Sequence, residues 1–219
     1  MKNNFAILQK CVLFSGIEPE DLSGLLACLG ARVSSYLKNQ VIFSEGDPAG
    51  FIGIVLSGAV QIAREDPFGN RSILARAEPA ELFAESYALA DVDTLPVSVT
   101  AAENSRIMLI NAHRITVSCS NACGFHSRLI RNMLQIVAKK NLAFHQKIEI
   151  TAKRTTREKL MAYLLLQAKQ QGSNSFTIPY DRQGLADYLG VERSAMSAEI
   201  SKLRKDGILE CDRSRFTLL

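Results

Sequence analysis

The sequence lacks the features of a membrane protein or a secreted protein. No apolar run within its 219 residues approaches the ~20 residues that a membrane-spanning helix needs. The amino terminus has only a short apolar stretch, and no small-residue cleavage pattern follows it. We therefore expect a cytoplasmic protein that contacts no membrane.

Cysteine is too scarce and too scattered to form a disulfide framework. The five cysteines are an odd number and are widely spaced: Cys11, Cys28, Cys119, Cys123 and Cys211. A chain of this length buries a core without disulfides, so reduced thiols are expected. The composition, 47% hydrophobic and 22% charged residues, is typical of a globular protein and argues against a disordered or fibrous chain.

Motifs of catalysis are absent as well. The sequence has no glycine-rich phosphate loop followed by Lys-Ser or Lys-Thr, and no serine-centred nucleophile elbow. Its three histidines, His113, His126 and His145, lie at no spacing that is typical of a metal site. These absences argue against an enzyme.

Charge is unevenly distributed along the chain, although the net charge of +4 is modest. Residues 1–124 contain 9 Lys and Arg against 13 Asp and Glu, a net charge of −4. Residues 125–219 contain 17 Lys and Arg against 9 Asp and Glu, a net charge of +8. A basic carboxyl-terminal half favours a polyanionic partner, with nucleic acid ahead of an anionic membrane surface.

Residues 32–110 are predicted to form short strands separated by turns. Glycine and proline mark these turns, because glycine permits positive φ and proline favours extended backbone. The candidate strands are rich in β-branched residues: Val41–Phe43, Ile52–Leu56, Ala59–Arg64, Ser72–Ala77, Val97–Ala101 and Arg106–Ile110. Runs of this length and spacing predict a small antiparallel barrel or roll. A helix is predicted before it, over 19–30, with an apolar face formed by Leu22, Leu25, Leu26 and Leu29.

The hydrophobic period changes to that of a helix after Phe125. From Cys123 to Ala152 there is no proline, and no glycine after Gly124, so the segment predicts an unbroken helix about 42 Å long. One of its rows contains Leu129, Met133, Ile136, Lys140, Ala143 and Lys147. The neighbouring row contains Ile130, Leu134, Val137, Asn141, Phe144 and Ile148. Such a long apolar seam predicts a partner helix and a two-fold dimer, and a core helix within one domain is the alternative.

The segment Asp181–Leu209 predicts two helices joined by a tight turn. The first helix covers Asp181–Leu189, Gly190 suits the positive φ of the turn, and the second helix covers Arg193–Asp206. The apolar positions of this pair are Leu185, Ala186, Leu189, Val191, Met196, Ile200 and Leu203. This spacing is typical of the helix-turn-helix, which places its second helix in the DNA major groove.

Polar and basic side chains of this segment are the candidate DNA-binding residues. Arg193, Ser194 and Ser197 lie at the start of the second helix and are expected to face outward. The remaining candidates are cations, of which the last three are expected to reach phosphate: Arg182, Lys202, Arg204 and Lys205.

The flanks of this helix pair also carry predictable structure. Thr155 and Glu158 form the capping-box pattern that starts a helix. A short strand is predicted at Phe176–Ile178. At the end of the chain, Gly207–Leu209 and Phe216–Leu218 are predicted to form a β-hairpin wing, joined by a charged turn over 212–215.

With this order of elements, the whole chain resembles the cyclic-AMP receptor protein and fumarate–nitrate reductase regulator (Crp/Fnr) family of bacterial transcription regulators. The features that carry the resemblance are Leu13–Ile17 before the roll, Ile54–Gly58 within it, the long helix, the hinge segment Arg154–Leu160 and the terminal winged helix-turn-helix. The resemblance implies an α+β fold with an amino-terminal antiparallel β-roll of the cyclic-nucleotide-binding, jelly-roll type. A long dimerisation helix and a winged helix-turn-helix follow, with boundaries at 1–122, 123–152 and 153–219.

The resemblance also implies a function in transcription. Family members are cytoplasmic homodimers that bind double-stranded, near-palindromic operators, with one recognition helix, here 193–206, in each half-site. In relatives, the positions of Arg193, Ser194 and Ser197 contact base edges, whereas the position of Ala198 is often basic. Activation would further require a surface for RNA polymerase, and the sequence does not distinguish an activator from a repressor.

The effector positions of the family are altered in this chain. Members that bind cyclic AMP use a Gly-Glu pair for the ribose, an Arg-Ser pair for the phosphate and helix hydroxyls for the adenine. The corresponding positions here hold Ala84, Glu85, Leu95, Pro96, Phe144 and His145. A buried phosphate needs a positive partner, which neither Leu95 nor Pro96 supplies. The resemblance therefore implies a degenerate pocket that does not bind cyclic AMP tightly, with Glu85 as a structural remnant.

The sequence does not decide whether the protein binds a cofactor or which one. Oxygen-sensing relatives hold an iron–sulfur cluster on closely spaced amino-terminal cysteines, a group that this sequence lacks. A different set of four thiols is a candidate for such a cluster: Cys11, Cys28, Cys119 and Cys123. The favoured interpretation makes Cys28 a core residue of the predicted leucine face and the other cysteines small buried hydrophobes. Haem ligation by one histidine is a further alternative.

Two other classes of function compete with a DNA-binding regulator. One is a stand-alone module that binds a small molecule, or that senses redox state or a gas through an iron–sulfur cluster or haem. A stand-alone module of this kind would not explain the basic carboxyl-terminal segment. The other class is an enzyme, for which the sequence offers no catalytic constellation.

Overall fold

The computed structural model describes residues 5–116 and 124–219, which form two units. The first unit takes in the described chain up to Asn70 together with Leu74–Asn141. The second takes in Arg71–Ile73 and Leu142–Leu219. Antiparallel sheets, one long helix and a terminal helical segment occur in the predicted order, which confirms the α+β class.

Eight strands build the roll. They are β1 (Arg32–Tyr36), β2 (Val41–Phe43), β3 (Phe51–Ser57), β4 (Val60–Glu65), β5 (Arg71–Ala77), β6 (Leu82–Phe83), β7 (Ser98–Ala101) and β8 (Ser105–Asn111). One four-stranded sheet has the order β1-β8-β3-β6 and the other has the order β2-β7-β4-β5. All six predicted strands are present, and each boundary lies within one residue of its prediction.

The prediction omits β1 and β6. Strand β1 contains Ser34 and Ser35 and buries none of its side chains, so it lacks the hydrophobic alternation of a predictable strand. Strand β6 has only two residues, and its pairing with β3 places Phe83 opposite Gly53. Both strands are therefore defined by their neighbours in the sheet rather than by their own sequences.

Strand β3 contributes to two hydrophobic clusters because its side chains alternate between its faces. Ile52 and Ile54 pack with helical residues of the first unit, whereas Val55 packs with residues of both sheets. Gly53 is needed for the close approach of β6, since a Cβ at this position would lie 2.0 Å from the ring of Phe83.

The helices around the roll are α1 (Phe5–Leu8), a 3-10 turn (Val12–Phe14), α2 (Pro19–Cys28), α3 (Glu85–Leu89), α4 (His113–Thr116) and α5 (Gly124–Thr151). The predicted leucine face of α2 is confirmed by the burial of Leu22, Leu25, Leu26 and Leu29. Cys28, however, is exposed, so its interpretation as a core residue of this face is wrong. At ~100° per residue it lies about 110° from the mean direction of these four leucines, and therefore at the edge of the buried face rather than on it.

The second unit contains α6 (Thr156–Gln171), β9 (Ser175–Thr177), α7 (Arg182–Leu189), α8 (Arg193–Lys205), β10 (Leu209–Asp212) and β11 (Arg215–Leu218). Its three strands have the order β10-β11-β9. The predicted hairpin wing is present, but its turn is shorter than predicted because Asp212 and Arg215 pair across the ladder. Arg213 and Ser214 alone connect the strands, and Arg213 adopts a positive φ of 50°.

No helix in the described ranges is long and apolar enough to cross a membrane.

Candidate DNA interface and effector site

The α7–α8 pair is held by a cap, a glycine turn and a buried face. Asp181 caps α7, because its Oδ1 accepts a hydrogen bond from the backbone N–H of Gly184 at 2.8 Å. Gly190 ends α7 with φ of +61°, as the predicted turn requires. Helix α8 then packs against α6 and α7 through its buried residues, Met196, Ile200 and Leu203. The opposite side of α8 is consequently turned to solvent.

The outward side of α8 carries the predicted candidates for base contacts. Arg193 and Ser194 are exposed and Ser197 is half-buried. We use the term exposed face of α8 for the set Arg193, Ser194, Ser197, Ser201 and Lys205. A polar face of this kind, at the amino-terminal end of the second helix, is the part of a helix-turn-helix that meets base edges.

The predicted phosphate-binding cations differ in their surroundings. Lys202, Arg204 and Lys205 are all exposed. The amine of Lys202 lies 2.7 Å from the carboxylate of Glu199, so part of its charge is balanced within α8. Arg204 and Lys205 form no ion pair with an acidic side chain among the described residues.

Arg182 differs from these cations because its guanidinium contacts the wing of its own chain. Its guanidinium lies 5.3 Å from the centre of the Phe216 ring, and its Nη2 donates a hydrogen bond to Sγ of Cys211 at 3.2 Å. The side chain is half-buried against the wing. Arg182 therefore helps to join α7 to the wing.

Sequence reasoning missed two polar residues next to these candidates. Ser201 lies four residues after Ser197 on the same side of α8, and its hydroxyl donates a hydrogen bond to the Ser197 carbonyl at 3.0 Å. Arg213 is exposed at the tip of the wing. The helical spacing predicts the placement of Ser201, whereas the position of Arg213 depends on the turn register, which the sequence prediction misplaces.

Helix α6 begins with the predicted capping box, which is confirmed. The hydroxyl of Thr155 accepts from the backbone N–H of Glu158 at 3.2 Å, and the Glu158 carboxylate accepts from the backbone N–H of Thr155 at 3.0 Å. The backbone N–H and the hydroxyl of Thr155 both donate to the Glu158 carboxylate, and these hydrogen bonds lower the pKa of Glu158. Arg157, in the same turn, lies 3.2 Å from the carboxylate of Asp206, the residue that ends α8. The start of α6 and the end of α8 are thus joined.

Glu85, the candidate ribose ligand of the degenerate pocket, already has an internal partner. Its side chain is almost fully buried, and its carboxylate lies 2.9 Å from Nζ of Lys140 on α5. The same amine donates to the Leu82 carbonyl at 2.6 Å, and the hydroxyl of Ser86 donates to Glu85 at 3.2 Å. Sequence reasoning missed the pairing of Lys140, although a lysine within a mostly apolar row is a recognisable signal.

The other predicted pocket residues lie in different environments. Ala84 is buried and adopts a positive φ of 63°, and Leu95 is 2% exposed within the cluster that both sheets share. Pro96 is exposed. Phe144 and His145 are exposed on the part of α5 that belongs to the second unit. Within the first unit, the structure brings Ala84 and Leu95 into one core cluster.

The cysteines do not assemble a cluster site in the described residues. Cys11 is 1% exposed, and burial raises the pKa of its thiol to about 11, which disfavours the thiolate that iron requires. Cys28 is exposed, and Cys119 and Cys123 lie outside the described residues. No three His, Cys, Asp or Glu side chains meet as a metal site in residues 5–116 and 124–219.

The three histidines are the candidate haem ligands. His113 and His145 are exposed. The Nε2–H of His126 donates to the Arg114 carbonyl at 3.2 Å, so this nitrogen is engaged. The described side chains give no observation that favours haem.

Comparison with known proteins decides the family. Residues 33–120 match the family model of the cyclic nucleotide-binding domain, and residues 158–219 match that of the Crp-like helix-turn-helix domain. The transcriptional activator protein FnrA of Stutzerimonas stutzeri is 22% identical over 187 residues, which cover 83% of this chain and 74% of that relative. The nitrogen fixation regulation protein FixK of Bradyrhizobium diazoefficiens is 27% identical over 203 residues, covering 87% and 79%. This chain belongs to the Crp/Fnr family.

Solved structures of Crp/Fnr proteins share the fold. FixK2 from Bradyrhizobium japonicum has a TM-score of 0.68 at 22% identity, with 86% of this chain and 92% of that chain covered. CLP from Xanthomonas campestris, described as a c-di-GMP responsive global regulator, has a TM-score of 0.77 at 20% identity, with 92% and 99% covered. The Crp/Fnr family consists of DNA-binding transcription regulators, not enzymes, so the predicted class of function is confirmed.

Proposed function

We propose that this Crp/Fnr regulator is a cytoplasmic homodimer that binds a near-palindromic DNA site, with α8 of each protomer in the major groove of one half-site. The observation that carries the proposal is the exposed face of α8, which is polar and basic while the opposite side of the helix is buried. A two-fold dimer presents two such faces about one DNA turn apart, which matches a palindromic operator.

The proposal gives each cation a role. Arg193 contacts a guanine through two parallel hydrogen bonds, and Ser194 and Ser197 contact neighbouring base edges. Lys202, Arg204 and Lys205 bind phosphates and therefore add affinity without sequence preference. Ala198 makes no polar base contact. Arg182 and the wing-tip Arg213 add charge beside the DNA backbone.

The dimer forms along α5. In the first row of this helix, Leu129, Met133 and Ile136 are buried in the core of the protomer itself. The neighbouring row is open to solvent or only half-buried, and we call it the exposed seam of α5: Ile130, Leu134, Val137, Asn141, Phe144 and Ile148. Covering this seam with a second copy removes apolar side chains from water.

The three predicted segments take separate roles in this proposal. Residues 1–122 form the effector roll, residues 123–152 dimerise and residues 153–219 bind DNA. Because three relatives are named transcriptional activators, we also propose that the DNA-bound dimer contacts RNA polymerase.

Cyclic AMP is not the effector in this proposal. The Glu85 carboxylate is balanced by Lys140, so a ribose would have to compete with an existing ion pair. The Leu95–Pro96 pair offers no cation to a cyclic phosphate, and a buried phosphate without a partner is costly. Phe144, at an adenine position, belongs to the exposed seam.

The test starts by selecting a duplex from a random pool and measuring its binding with and without excess cyclic AMP. We expect sequence-specific binding whose affinity cyclic AMP leaves unchanged. Arg193→Ala should relax the preference for one base pair per half-site, at a cost of about 1–3 kcal/mol for the selected duplex. Lys205→Ala should weaken binding to all duplexes alike.

The matched control is Lys38→Ala, which removes an exposed lysine from the first unit. It should leave binding to every duplex unchanged. The proposal fails if no duplex is selected, or if Arg193→Ala and Lys38→Ala have the same effect. An increase in affinity on addition of cyclic AMP contradicts the assignment of the pocket.

A further inference from the structure

The exposed seam of α5 has the spacing of a two-stranded coiled coil. Its residues are separated alternately by four and three positions, which is the strict seven-residue repeat of such helices. Leu134 is 66% exposed, Ile148 is 62% exposed and Phe144 is 45% exposed. Leu134, Asn141 and Ile148 are seven residues apart and occupy the position called a in this repeat. The middle one of the three, Asn141, has a polar amide side chain where the other two are apolar.

The side chain of Asn141 has no hydrogen-bond partner among the residues that the structure describes. It is exposed to solvent. A second helix laid along the seam would cover this amide together with its apolar neighbours. The amide then needs a partner on the second helix, because a buried amide without one is unfavourable.

The positions beside the seam cannot select the alignment of two helices by charge. One flank consists of Met133, Lys140 and Lys147, of which Met133 is in the core and Lys140 pairs with Glu85. The other flank consists of Arg131, Ala138 and His145. Neither flank offers an acidic group to a cation of the other helix. Interhelical ion pairs, which usually set register and orientation, are therefore missing.

We propose that Asn141 fixes the dimer of this regulator as parallel and in register, by pairing with Asn141 of a second copy. This inference rests on the proposed homodimer. Only the parallel, unshifted alignment places the two amides opposite each other, where each donates to and accepts from its counterpart. A shift by one repeat places Asn141 opposite Leu134 or Ile148. The antiparallel alignment that brings Ile130 opposite Ile148 places Asn141 opposite Val137.

The consequence is functional, because orientation decides where the two α8 helices lie. A parallel dimer has its two-fold axis along α5, so the carboxyl-terminal ends of both helices, from which the DNA-binding segments continue, lie together. An antiparallel dimer would place them at opposite ends, where they could not bind adjacent half-sites. Asn141 thus favours the one alignment that suits a palindromic operator, at some cost in dimer stability.

The test combines Asn141→Leu with disulfide trapping on the seam. Ile148→Cys, placed in the full chain, should cross-link to itself under copper-phenanthroline oxidation only in a parallel, in-register dimer. Adding Asn141→Leu should lower this yield about twofold as other alignments become populated, while the dimer dissociation constant stays the same or falls. Mixed Ile130→Cys and Ile148→Cys chains, each also carrying Asn141→Leu, should then form a 130–148 cross-link that Asn141 suppresses.

Two controls make each outcome decisive. Gln135→Leu adds the same apolar side chain to an exposed position of α5 outside the seam, and it should leave every yield unchanged. The chain without an added cysteine reports background from Cys28 and Cys211, and peptide mass spectrometry assigns each link.

If Asn141→Leu keeps a homogeneous 148–148 cross-link, the role of Asn141 is wrong although the homodimer stands. If sedimentation shows only monomer for the unaltered chain, the homodimer itself is wrong.

Discussion

At the scale of single residues, two lysines of α5 occupy environments that differ from those of surface lysines. Lys140 neutralises the buried carboxylate of Glu85 and also donates to the Leu82 carbonyl. A buried carboxylate without such a partner would be costly, so Lys140 stabilises Glu85 in its buried position. Lys147 lies 4.2 Å from the centre of the Tyr188 ring on α7, and it also donates to the Ile73 carbonyl.

Lys147 makes the stability of the second unit depend on pH. Burial lowers its pKa to about 8, below the usual value of about 10.4 for lysine in an unfolded chain. Between these two values the unfolded chain binds more protons, so the free energy of unfolding should rise with pH, by at most about 1.4 kcal/mol per pH unit. Below pH 8 both states are protonated, and the contribution of Lys147 is constant.

The measurement is urea unfolding at several pH values between 8 and 9, followed by tyrosine fluorescence. Burial raises the pKa of Tyr163 and Tyr188, which lower stability only above the unfolded-chain value of about 10. Burial also raises the pKa of Cys11 to about 11, so Cys11 begins to lower stability above its unfolded-chain value of about 8.5, within this window. Because Cys11 is the same in every variant, the difference in slope between variants reports Lys147 alone. Lys147→Met should flatten the pH dependence, and Lys169→Met, which changes an exposed lysine of α6, should not. An equal slope in Lys147→Met would contradict the assignment.

At the scale of elements, the capping box at Thr155 fixes where α6 begins. Thr155→Ala removes the hydroxyl that accepts from the backbone N–H of Glu158 and donates to its carboxylate, so the protein should lose about 1 kcal/mol of unfolding free energy. Thr155→Ser keeps the hydroxyl and should retain most of this stability. Urea titration of the two variants side by side provides the measurement. Equal losses in both would show that the cap contributes nothing measurable.

Local chemistry explains which elements the sequence predicts well. Strands with β-branched runs and glycine turns, the capped start of α6 and the Gly190 turn all depend on neighbours in the chain, and all occur as expected. Strands β1 and β6 were not predictable, because pairing with β8 and β3 defines them. The 212–215 turn was misplaced because Asp212 and Arg215 are polar yet belong to the ladder.

The features of the candidate site likewise divide into those that local sequence predicts and those that depend on tertiary packing. The burial of Met196, Ile200 and Leu203 follows from helical period, so the outward placement of Arg193 was predictable. The pairing of Glu85 with Lys140 joins residues 55 positions apart and depends on how α5 packs on the roll. No local pattern contains that information. The exposure of Cys28 was predictable from its helical angle, and the contrary interpretation overlooked this angle.

At the scale of the whole molecule, the chain carries one surface suited to electrostatic binding and another suited to hydrophobic binding. The DNA-binding segment belongs to a half with a net charge of +8, and its contacts with phosphate are electrostatic. The exposed seam of α5 is mostly apolar, and the proposed dimer would be stabilised by the removal of its side chains from water. Salt screens the first interaction and does not weaken the second.

The two proposed interactions should therefore respond oppositely to ionic strength. With Lys202, Arg204 and Lys205 on phosphates in each protomer, DNA affinity should fall about 10³-fold between roughly 50 and 200 mM KCl. Over the same range the dimer dissociation constant should stay constant or fall slightly. Fluorescence anisotropy with a labelled operator and sedimentation equilibrium measure the two quantities on one preparation. A dimer that dissociates with added salt in parallel with the DNA complex would mean that charges, and not the seam of α5, hold the protomers together.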